Sequence, residues 1–426
     1  MNKDTLAIFG GKKIINKPFN KYKSIGNEEV DAAKKVIESG NLSEYVGSWG
    51  KNFFGGPKVL EFEKAVTNFF NVKHAVTVNS WTSGLVAAIG SIDIEPGDEV
   101  IVTPWTMTAT ATAILHWNAI PVFADIDPET YNLNASSIEK CISPYTRAIV
   151  VVDIFGQSAD MDEIMQLANK YKLKVISDTA QAPGALYKNR YAGTLADVGG
   201  YSLNYHKHIH TGEGGVLVTN DDQIAERLQL IRNHAEVVVE KKGVTNIANM
   251  VGHNFRLGEI ECAIGIEQLK KLPNIISKRQ HLAEMMTEGL KGLKGLIIPK
   301  VGADRSHVYY IYAMQLDIEL LNTTREKICE ALNAEGVPVV PNYQNIHLLP
   351  IYQRKIAFGS KGFPWTSEIC KREVSYKKGI CPVAEHLNDT TYLGFNICLY
   401  NLDENDVNSI IAAFHKVWQH IYLLKV

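Results

Sequence analysis

Along the first two thirds of the chain, short runs of apolar, β-branched residues alternate with stretches of helical periodicity. The runs HAVTV (74–78), DEVIVTP (98–104), IPVFADI (120–126), RAIVVVDIF (147–155), LKVISD (173–178) and GVLVTN (215–220) predict strands. Amphipathic segments between them, such as 83–92 and 161–171, predict helices. This alternation implies a largely parallel sheet with helices on both faces. After a long helical segment around 273–293 the pattern changes. HVYYIYAMQLD (307–317) predicts an antiparallel strand, followed by a helix over 324–335 and a closing helix over 403–421. The chain therefore reads as α/β in three parts: an N-terminal arm over 1–30, a large domain over 31–280 with a mostly parallel sheet, and a smaller C-terminal α+β domain over 281–426.

Composition narrows the function classes. A chain of 426 residues, 46% hydrophobic, can bury one large core and a second, smaller one. With 44 basic and 46 acidic residues the net charge is -2, so no charge excess points to nucleic acid or an anionic membrane. Any anionic ligand must be held locally. The cysteines, Cys141, Cys262, Cys329, Cys370, Cys381 and Cys398, are scattered without a CxxC pair, as in reduced cytosolic proteins. No stretch approaches the roughly 20 apolar residues that span a bilayer, and the N-terminus lacks a secretory pattern, so a cytoplasmic location is expected.

In open parallel sheets ligands bind beyond the carboxyl ends of the strands, which directs attention to four polar stretches. NSWTSG (79–84) follows a strand and opens a helix, where hydroxyls and free backbone N–H groups suit a phosphate; plain N-capping by Ser80 or Thr82 is the alternative. Asp178 closes an apolar strand in ISDTAQAPGA, where a carboxylate either caps a turn or meets a cation, and Gln181 follows in the same crevice. YSLNYHKHIHTGEGG (201–215) holds His206, His208 and His210 at alternating positions, which on a strand would share one face, as in a metal site. Lys207 lies among them; in a poorly solvated pocket it would lose its proton readily and form a Schiff base with a carbonyl. GHNFRLGE (252–259) is a polar turn leading into a helix and says little alone.

In their order and spacing these stretches, with FEKAV, PGDEVIVTP, IPVFADIDP, GTLADVGGYS and NLDEND, resemble the DegT/DnrJ/StrS family of pyridoxal-phosphate aminotransferases. The resemblance implies an aspartate-aminotransferase-like (type I) fold and pyridoxal 5'-phosphate as cofactor. It implies Lys207 as the lysine that holds the cofactor, Asp178 as partner of the pyridine nitrogen and Gln181 beside the ring hydroxyl. Thr82, Ser83 and Ser202 would bind the phosphate, joined by Asn254 from a neighbouring subunit, so a homodimer with shared active sites is expected. Transfer from glutamate or glutamine to a keto sugar, nucleotide-linked, is the leading expectation. A cyclitol or a small phosphorylated ketone is the alternative acceptor.

Departures surround the expected substrate pocket. Trp81 stands where relatives carry glycine, and Met107 stands where an aromatic ring stacks on the cofactor, a role Trp105 could take instead. Asp153 replaces a frequent histidine, and the link 43–59 is longer than usual. Tyr343 and His347, in PNYQNIHLLPIY, are candidates to touch substrate. Readings from other classes are a non-catalytic cofactor-binding regulator, a sugar dehydratase, as in relatives with histidine in place of the lysine, and a hydrolase using metal at the three histidines. Counting from Ser202 and back from Gly212 both arrive at Lys207, which favours transamination, and without a carboxylate or cysteine cluster at ligand spacing no metal is expected.

Overall fold

The computed structural model describes residues 5–425, so the first four residues of the expected arm lie outside it. Seven strands form the larger sheet: β1 (His74–Val78), β2 (Glu99–Val102), β3 (Ile120–Phe123), β4 (Thr146–Val152), β5 (Lys174–Asp178), β6 (Val198–Ser202) and β7 (Gly215–Thr219). Their order across the sheet is β1-β7-β6-β5-β4-β2-β3. β7 alone runs against its neighbours, pairing antiparallel with both β1 and β6, whereas the pairs from β6 to β3 are parallel. The strands are mostly apolar because helices bury both faces; every residue of β2, β3 and β6 is buried.

All six predicted strands of this sheet form, β1 over its predicted residues and the other five over shorter spans, and β6 is added to them. Its sequence, VGGYS, carries two glycines and no alternation, so its strand character comes from the ladders on either side. The prediction over 307–317 shortens to β9, Tyr312–Leu316, because Gln157 bridges His307 while Phe155 and Gly156 hold the following backbone outside the sheet. With β8 (Leu296–Ile297), β10 (Val339–Val340) and β11 (Tyr392–Phe395) it makes a four-stranded antiparallel sheet in the order β8-β9-β11-β10. The helices Arg325–Glu335, capped by Thr324, and Glu404–Gln419, capped by Asp403, lie where the periodicity puts them.

One helix joins the two cores. Glu259–Leu290 contributes Cys262, Ile266 and Leu269 to the packing beside β1, β6 and β7, and Leu282, Met286 and Leu290 to the core of the smaller sheet. The chain then returns to the larger core: Ile346, Tyr352, Trp365, Tyr376 and Cys381 pack there, and Arg372 pairs with Glu99 of β2 at 2.6 Å. This return brings Tyr343 to the end of the parallel sheet. Among the described residues no helix is long and apolar enough to cross a membrane.

Candidate active site

β1, β5 and β6 point the same way, so Val78, Asp178 and Ser202, their last residues, finish at one edge of the sheet. A cleft of about 510 Å³ opens there, lined by Thr82, Met107, Asp178, Gln181, Ser202, Lys207 and Tyr343 from the sequence-derived set. Trp81, Thr110, His206, Tyr310, Asn396 and Cys398 complete much of its wall.

Lys207 is only 9% exposed. Its Nζ lies 3.2 Å from the Tyr310 hydroxyl and over the Tyr310 ring, 4.3 Å from the centroid, and makes no salt bridge among the described residues. Burial lowers its pKa to about 8, opposed more weakly by Cys398 and Asp178. Asp178 is buried, and burial pushes its carboxyl above the usual range, against donors from Thr110, Trp81 and the Ala180 N–H and the charge of Lys207. Thr110 Oγ1 donates to Oδ2 at 2.8 Å, Trp81 Nε1 to Oδ1 at 2.7 Å and the Ala180 N–H to Oδ1 at 3.2 Å.

The helix Trp81–Ser91 starts at this edge with Ser80 as its cap, the side chain accepting from the Ser83 N–H at 3.0 Å. The N–H groups of Trp81 and Thr82 precede the intrahelical ladder and form no hydrogen bond among the described residues, so they remain available to an anion, beside the hydroxyl of Ser202. Ser83 is different. Its hydroxyl donates to Asn79 Oδ1 at 2.7 Å and it does not line the cleft.

Three further sequence-derived residues are not brought to the cleft. Trp105 is fully buried, stacks on Tyr131 and donates to Asn345 at 2.7 Å, so it braces the segment that carries Tyr343. His347 is buried beside Glu385, 2.9 Å from its Oε1. Asn254 lies in the polar turn, where its side chain accepts from Arg256 at 2.9 Å. Met107, by contrast, is 67% exposed at the cleft mouth. Gln181 is held at both ends of its carboxamide, accepting from the Phe155 N–H at 2.9 Å and donating to the Tyr343 hydroxyl at 3.3 Å.

The histidines do not share a strand face, because residues 205–209 form a turn and bends. His206 lines the cleft with its pKa lowered to about 4, chiefly by burial and then by Lys207. His208 is buried with Nε2 2.7 Å from the Val308 carbonyl, and the His210 N–H donates to Gln268. Asp153 is buried under Thr179, Ser177 and the Ala159 N–H, and burial pushes its carboxyl up to about 6. Sequence reasoning missed Tyr310 and Thr110 as neighbours of Lys207 and Asp178. Thr110 lies just beyond Met107, which the sequence did mark, but Tyr310 lay inside a run that reads as an ordinary strand and carried no local signal.

Fold and comparisons together make this chain an aminotransferase. The model of the DegT/DnrJ/EryC1/StrS aminotransferase family matches residues 25–389, and the chain belongs to that family, whose aminotransferases depend on pyridoxal phosphate. It is 34% identical to the GDP-perosamine synthase of Caulobacter vibrioides over 85% of this chain and 90% of that one. It is 29% identical to the L-glutamine:2-deoxy-scyllo-inosose aminotransferase of Streptomyces kanamyceticus over 97% of both. An aminotransferase from Psychrobacter cryohalolentis superposes with a TM-score of 0.80 at 28% identity, covering 95% of this chain and 100% of that one.

Proposed function

We propose that the protein transfers an amino group from glutamate or glutamine to a keto sugar, nucleotide-linked, using pyridoxal 5'-phosphate held at Lys207. The observation that carries this reading is the buried Lys207 amine, depressed to about 8 and sharing one cleft with Asp178. The residues present fit the cofactor. A carboxylate offers roughly four acceptor sites, and three donors reach Asp178, so one site remains for a ring N–H. The uncapped N–H groups at Trp81 and Thr82 fit its phosphate.

When bound, the cofactor supplies an electron sink for the carbanion formed as the donor carbon loses its proton. Asp178 would hold the ring nitrogen, and Gln181, fixed at both ends by Phe155 and Tyr343, would lie beside the ring hydroxyl. Thr82 and Ser202 bind the phosphate, and Asn254 of a second subunit adds a donor, which makes the working unit a homodimer. Ser83 acts here by ordering Asn79. Lys207 Nζ serves as base and then as acid, a duty suited to an amine with a pKa near the working pH. Tyr310 positions that amine through its hydroxyl and ring face. Tyr343 faces the substrate, Met107 forms the mouth, and Trp105 and His347 support the wall behind them.

Residues 31–280 are read as the cofactor-binding unit and 281–426 as the smaller one, from which the segment around Ile346 to Cys381 packs back onto the larger core. Six free cysteines support a reducing, cytosolic setting. The perosamine synthase supports a nucleotide-linked acceptor, whereas the inosose aminotransferase, matched over 97% of the chain, supports a cyclitol as the second reading and glutamine as donor.

Borohydride reduction of cofactor-loaded protein, followed by peptide mapping, is expected to find the cofactor on Lys207; an unmodified Lys207 would overturn the reading. A panel of nucleotide keto sugars and cyclitol ketones with either donor then separates the two acceptors.

A further inference from the structure

We propose that Trp81 is a positioning residue for the cofactor ring: its indole N–H anchors Oδ1 of Asp178 and so presents the carboxylate's remaining acceptor site to the ring nitrogen. This inference rests on the cofactor reading above.

The hydrogen bonds around the carboxylate divide unevenly. Oδ1 accepts from Trp81 Nε1 at 2.7 Å and from the Ala180 N–H at 3.2 Å, whereas Oδ2 accepts only from Thr110 Oγ1 at 2.8 Å. Because the single Thr110 proton points at Asp178, Thr110 is the acceptor in its 2.8 Å contact with Thr106, and the carboxylate plane is held from both sides. The open site is therefore on Oδ2. An indole is a donor only, so it cannot turn round and compete with the carboxylate for the ring N–H, as a hydroxyl could. Lys207 acts on Asp178 only through its charge, the Asp178 charge in turn raises the pKa of Asp153 and of Tyr343, and none of the three forms a hydrogen bond to it.

The surrounding sequence is shaped to house the indole. A Cβ at Gly200, opposite Asp178 in the sheet, would come within 2.5 Å of the Trp81 ring, and one at Gly84 within 2.8 Å. A Cβ at Gly215, opposite Ser202, would meet the Trp81 backbone at 3.0 Å. Gly84 of the helix and Gly200 of β6, the latter also packed on the Val216 carbonyl, thus leave out side chains where this one ring lies, and the ring ends on the carboxylate. A core-filling tryptophan also needs a partner for its N–H, as Trp117 finds in the Val86 carbonyl; Trp81 finds its partner in the carboxylate assigned to the ring nitrogen.

The test compares two molecules and two proteins. Wild type and Trp81→Phe, both full-length, are titrated with pyridoxal 5'-phosphate and with its analogue bearing CH in place of the ring nitrogen. Trp81→Phe is expected to bind the cofactor roughly fivefold more weakly, the scale of one lost hydrogen bond, and to bind the analogue within about twofold of wild type. Equal weakening toward both molecules would overturn the positioning role and leave the cofactor reading intact. Wild type that binds neither molecule would overturn both. Should the variant not fold, 15N-tryptophan-labelled wild type answers the same question: among six tryptophans, an indole resonance is expected to move on loading with the cofactor and to stay in place with the analogue. Identical spectra for the two loaded forms would overturn the proposal.

Discussion

Lys207 shows how burial makes a reagent of an ordinary side chain. A lysine with a pKa of about 8 is neutral in about one tenth of molecules at pH 7 and about nine tenths at pH 9, whereas one near 10.5 stays almost wholly protonated at pH 7. Only the neutral amine attacks a carbonyl. The rate of cofactor capture by apoprotein, followed by absorbance, is therefore expected to rise about tenfold from pH 7 to pH 9 and to level off above; a flat profile would contradict the depressed pKa. Lys207→Ala is expected to lose at least about a thousandfold in turnover. His206, lowered to about 4, stays neutral across this range and adds no second step to the profile.

At the scale of the element, the helix Trp81–Ser91 presents its N-terminus at the cleft because Ser80 caps it and leaves the first two N–H groups free. Thr82 and Ser83 are neighbours with opposite fates. Thr82 lines the cleft, and the Ser83 hydroxyl is spent on Asn79 at 2.7 Å. Thr82→Val is expected to weaken cofactor binding about tenfold, the scale of a lost hydrogen bond to a charged group, and Ser83→Ala by less than about twofold. Equilibrium dialysis distinguishes them, and equal effects would place Ser83 at the phosphate after all. The sequence marked this turn correctly as a helix start; which hydroxyl faces the ligand depends on the helix rotation, set by Leu85, Ala88 and Ile89 packing into the core.

At the scale of the whole molecule, a buried ion pair ties helix, sheet edge and loop together. Arg232, fully buried, donates to Glu63 at 2.6 Å, to Thr77 in β1 and to the carbonyl of Phe54 in the long link 43–59. Glu63→Gln leaves a buried guanidinium without its counter-charge and is expected to cost roughly 3 kcal/mol or more of stability, measured by denaturant unfolding. If Asn254 completes the site of a second subunit, Asn254→Ala is expected to bind the cofactor about tenfold more weakly, and mixing and refolding it with Lys207→Ala is expected to regain wild-type affinity at about a quarter of the sites, the one intact site in each mixed dimer. No regain would remove Asn254 from the shared site.

The alternation of apolar runs and amphipathic segments by itself determined the α/β class, six of the seven strands of the larger sheet and the closing helices, because burial on both faces of a parallel sheet writes a local, readable pattern. The spacing of ISDTAQAPGA, YSLNYHKHIHTGEGG and GHNFRLGE determined the family. Tertiary structure alone decided that residues 205–209 turn and bend rather than extend, which disperses the three histidines and leaves Lys207 facing the cleft. It also decided that Tyr310 from beyond the long helix meets Lys207, and that Trp81 turns its N–H onto Asp178. Such contacts join residues 97 to 103 positions apart. Their partners are chosen by strand order and by the space glycines leave, neither of which has a local signature in the chain.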